Sequence, residues 1–97
     1  MVSTIKTALR ISHSLLDVDI ADTILSARAE MIRSGVSDKL ANSEHPLIRA
    51  AIKAYCLAAY ADDATTAEGY QKSWECQLDN IRKSSIEVPE EEGDGNA

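Results

Sequence analysis

The chain has 97 residues, 10 Lys and Arg against 16 Asp and Glu for a formal charge of −6, no Phe, one Trp and two Cys. At that length it makes one domain that buries somewhat over ~60% of its unfolded surface and is marginally stable by itself. Five acids, Glu87, Glu90, Glu91, Glu92 and Asp94, cluster near the end and leave 11 acids against 10 bases over residues 1–86, so the body lacks the basic face that tight phosphate-backbone binding needs.

The apolar fraction is carried by Ala, Ile and Leu, which favours helix packing over a sheet, and the fold class expected is all-α. Ser3 or Thr4 can cap a short first helix through Leu9, with Ile5 and Leu9 on one face. The serines of Arg10–Ser14 compete for backbone hydrogen bonds and break it. Asp17 or Asp19 can cap a second helix whose apolar stripe is Ile20, Ile24, Ala27 and Met31, flanked by Ala21, Leu25 and Ile32. Gly35 stops it, because glycine takes the left-handed conformation after a helix without strain.

A polar loop of about ten residues, Val36 to His45, is then expected. Pro46 opens a third helix to about Ala61. Arg49 and Lys53, four apart on one stripe, are the charges of Pro46 to Tyr60, so this helix has one narrow face suited to water and must be covered on several sides. Thr65 with Glu68 matches a capping box for a fourth helix to about Ser84, with Tyr70, Trp74, Gln77 or Leu78, and Ile81 facing inward. The short connection makes helices three and four antiparallel neighbours, with Ile52 opposite Trp74. The expected architecture is a small four-helix bundle with a long central apolar helix and a core that includes Ile24, Met31, Ile52, Tyr55, Trp74 and Leu78. Residues 1–85 form the helical domain and 86–97 an acidic tail too poor in apolar side chains to fold by itself.

Little in the chain carries chemistry. His13 and His45 read as solvated loop histidines, and Asp17 with Asp19 and Asp62 with Asp63 as helix-start and turn aspartates. No glycine-rich phosphate loop, dinucleotide fingerprint or HExxH occurs. Cys56 and Cys76 match neither a zinc nor a redox spacing, and their offset across the hairpin is too long for a disulfide; both read as buried small hydrophobes. No apolar run approaches the ~20 residues of a membrane span and the start lacks a signal-peptide layout, so a cytosolic protein without membrane contact, catalytic residue, metal or cofactor is expected.

The succession ALRIS, DVDIADTILSARAEMIRSG, PLIRAAIKAYCLAAYADD and EGYQKSWECQLDNIR resembles the head-tail connector proteins of tailed bacteriophages, the adaptor or DNA-packaging family, over residues 3–84. The likeness rests on Leu9 and Arg10, on Asp19 through Ala27 and Ala29, and on Pro46 through Tyr60. It departs where Ala61, Asp62 and Asp63 replace the usual basic and polar ending, and where the loop after Gly35 lacks aromatics.

The resemblance implies a virion protein, assembled in the host cytoplasm, that is no enzyme. It would form a homo-oligomeric ring under the portal protein, let DNA pass without specific binding, and meet a stopper or tail-completion protein. Arg28, Arg33, Asp79 and Arg82 are then candidates for the subunit interface, and Ile86, Val88 and Pro89 for a partner-binding anchor in the tail. Two rivals stand beside it. A helix-turn-helix regulator reading Arg49 and Lys53 needs a turn far shorter than Gly35 to Pro46. A small helical interaction module, antitoxin-like or an adaptor, would use a tail that folds on its partner.

Overall fold

The computed structural model describes residues 1–84, and these are all-helical. Five helices follow one another: α1 (Val2–Leu9), α2 (Asp17–Arg33), α3 (Asp38–Ala41), α4 (Pro46–Ala59) and α5 (Ala64–Lys83). α4 packs most extensively against α5, and also meets α2 and α1. The core gathers Ile5 of α1, Ile20, Ile24, Ala27 and Met31 of α2, Ile48, Ala51, Ile52, Ala54 and Cys56 of α4, and Trp74, Leu78 and Ile81 of α5. Tyr55 is half-buried at its edge, its ring 4.9 Å from that of Trp74 and tilted by 68°, an edge-to-face pair.

Several boundaries differ from the sequence expectation. α1 starts a residue ahead of Ser3 and Thr4, behind Met1 and without a side-chain cap. It ends at Arg10, whose left-handed backbone (φ 61) returns its N–H to Thr7. α2 has Leu16 at its cap position, and Asp17 and Asp19 lie inside the first turn. There they face the positive end of the helix dipole without capping it. Asp17 instead pairs with Lys6 at 2.9 Å and ties α1 to α2.

The stop at Gly35 has a clear structural basis. With φ at 111, it lets its own N–H reach Ile32 and the N–H of Val36 reach Met31. That double return is a Schellman motif, and Val36 and Met31 are both buried, as its hydrophobic contact requires.

The segment expected as a loop from Val36 to His45 contains α3. Ser37 caps it by accepting from the Leu40 N–H at 3.1 Å, and Leu40 and Ala41 turn into the core. Four residues are too few to show a period, which is why a turn-rich composition concealed a helix. His45 is likewise more than a solvated histidine: its Nδ1 accepts the Leu47 N–H at 3.1 Å and caps α4 ahead of Pro46.

Asp63 takes the place expected of Thr65 as the cap of α5, accepting from the Thr66 N–H at 2.7 Å and from the Thr66 hydroxyl at 3.0 Å. Those two donors hold the Asp63 carboxyl below its ordinary range. A depressed folded value means that this stabilisation is complete above the unfolded carboxylate pKa and is lost as pH falls through the lower folded one. Asp63→Ala is therefore expected to lower the melting temperature at neutral pH and to have no effect once the acid limit is passed. A thermal melt series across pH checks this.

On α5, Trp74, Leu78 and Ile81 point inward as expected, but Tyr70 is exposed. Cys76 is exposed too, against the expectation of two buried thiols, because it lies between the inward positions 74 and 78 on the opposite side of the helix. Cys56 is buried, and burial pushes its thiol up to about 11. Iodoacetamide is expected to modify Cys76 in the folded protein and Cys56 only after denaturation, which peptide mass mapping would detect. Equal modification of both in the native state would contradict the placement of Cys56.

Candidate assembly surfaces

The described residues present two features suited to contact with other molecules, and a third that is internal. The first is an open groove of about 770 Å³ between α2, α4 and α5. Ala58 and Ala59 of α4 line it with Ala67 of α5. The Tyr55 and Trp74 rings border it on one side, and Thr23, Ser26 and Glu30 of α2 with Glu68 and Gln71 of α5 supply polar groups. Glu30 is ion-paired to Arg33 on its own helix, which lowers its carboxyl pKa. Near this groove the Tyr60 hydroxyl donates to the Asp19 carboxylate and joins the end of α4 to the start of α2. Burial and that carboxylate both raise the Tyr60 pKa.

A second feature is the set of large apolar side chains left in solvent: Leu15, Val18, Leu25 and Ile32 on or beside α2, Leu47 on α4 and Tyr70 on α5. Four of the six belong to one helix and the turn before it.

The internal feature centres on Arg28. Its guanidinium donates to the carbonyls of Ala41 at 2.9 Å and Ser43 at 3.0 Å, and to the Glu44 carboxylate at 3.1 Å. The side chain is buried, and it binds the chain between α3 and α4 to the flank of α2. A five-donor planar fork suits two carbonyls and a carboxylate at once.

Among the interface candidates, Arg28 is thus engaged within its own subunit. Arg33 is exposed and paired with Glu30. Asp79 pairs with Lys83 at 2.9 Å and stands 4.0 Å from Arg82, all on the outer side of α5. The Lys83 contact holds the Asp79 carboxyl below its ordinary range. The candidate tail anchor, Ile86, Val88 and Pro89, lies outside the described residues. The core candidates Ile24, Met31, Ile52, Trp74 and Leu78 are buried, and Tyr55 is half-buried.

No cluster of three or more His, Cys, Asp or Glu suited to a metal occurs among the described residues. No helix among them is long and apolar enough to cross a membrane. Comparison of the chain with protein-family models, curated proteins and solved structures gave no match.

Proposed function

We propose that the protein is a structural head-tail connector of a tailed bacteriophage, a non-enzymatic subunit that forms a ring under the portal, extends the DNA channel and receives a stopper or tail-completion protein. In this reading α1, α2, α4 and α5 form a four-helix bundle with α4 as its central apolar helix, and α3 is a bracket added to it.

The observation that supports this best is the open groove over α4. A helix with so few charges packs against α1, α2 and α5, yet it is left accessible toward its end at Ala58 and Ala59. A small subunit that keeps such a groove beside its aromatic pair offers a concave patch for an unlike patch of the next copy, the arrangement from which a rotation closes a ring. Arg33, Asp79 and Arg82 would stand at the rims of those contacts, where charges set register more than affinity. The near balance of 11 acids and 10 bases over residues 1–86 would let DNA slide past without being held. The particular partners come from the sequence resemblance.

Native mass spectrometry of the chain with and without its portal protein tests the reading. A closed multimer of many copies, at the latest when portal is added, is expected. A chain that forms no such multimer under either condition would overturn it.

A further inference from the structure

We draw no further inference here: the strongest candidate, the exposed apolar patch of Leu15, Val18, Leu25 and Ile32 on and just before α2, carries nothing, because Arg28 and Arg33 are engaged within their own subunit and nothing in the structure shows what covers it.

Discussion

Trp74→Ala is expected to destabilise the protein by about 3 to 5 kcal/mol and Ile52→Ala by about 2 to 5 kcal/mol, each a large share of the ~5–15 kcal/mol that holds a domain together. Ile52 is fully buried and Trp74 nearly so, in the hairpin of α4 and α5. Truncation removes the transfer energy of the lost atoms and leaves a void. The void beside Trp74 also borders the groove, so water can enter it, and Tyr55 loses its edge-to-face partner. Urea titration followed by circular dichroism measures both effects, and a wild-type midpoint for either variant would show that its side chain does not support the hairpin.

Arg28→Ala is expected to cost about 2 to 4 kcal/mol, because it strands the Ala41 and Ser43 carbonyls in the interior and also removes the Glu44 contact. Arg28→Lys should fall between the two, since one ammonium cannot reproduce a planar fork on three acceptors. Glu44→Ala should cost less than about 1 kcal/mol, as the carboxylate is more than half exposed and its ion pair is screened. Hydrogen exchange distinguishes a local role from a global one. Faster exchange confined to the amides of Leu40, Ala41 and Ser43 is expected at denaturant-free conditions in Arg28→Lys, and uniform acceleration across α4 and α5 would contradict a bracketing role for this side chain.

The inward faces of the long helices were legible because each presents several turns of the same period. Ile20, Ile24, Ala27 and Met31 state one face of α2 four times over, and Trp74, Leu78 and Ile81 do so for α5. Ends were harder. Asp17, Asp19, Asp63 and Thr65 are all competent caps by residue type, and the choice among them depends on where packing starts the helix. α3 is too short for any period, and its capping serine resembles every other serine in a turn.

The internal role of Arg28 was hidden for a different reason. A charged residue beside an inward stripe reads as a surface group until the chain that folds over it is known, and that chain is the segment expected as a loop. Cys76 could have been placed from the sequence, since inward positions at 74 and 78 put 76 outside. The exposure of Leu25 and Ile32 was equally readable: both flank the inner stripe, and with Leu15 and Val18 they remain in solvent.

The dependence of α1 and α2 on α4 also sets an order of events during synthesis. The hairpin of α4 and α5 is joined by the few residues between Tyr60 and Asp63, so its contacts are local and close quickly once both helices exist. Yet this is the half of the chain that leaves the ribosome last. Until then Ile5, Ile20, Ile24 and Met31 have only α1, α2 and α3 to shelter them, and the nascent first half must wait with much of its interior in water. A fragment released after Gly35 would therefore be a substrate for holding chaperones, whereas a released chain that includes α5 through Lys83 would be able to shed them.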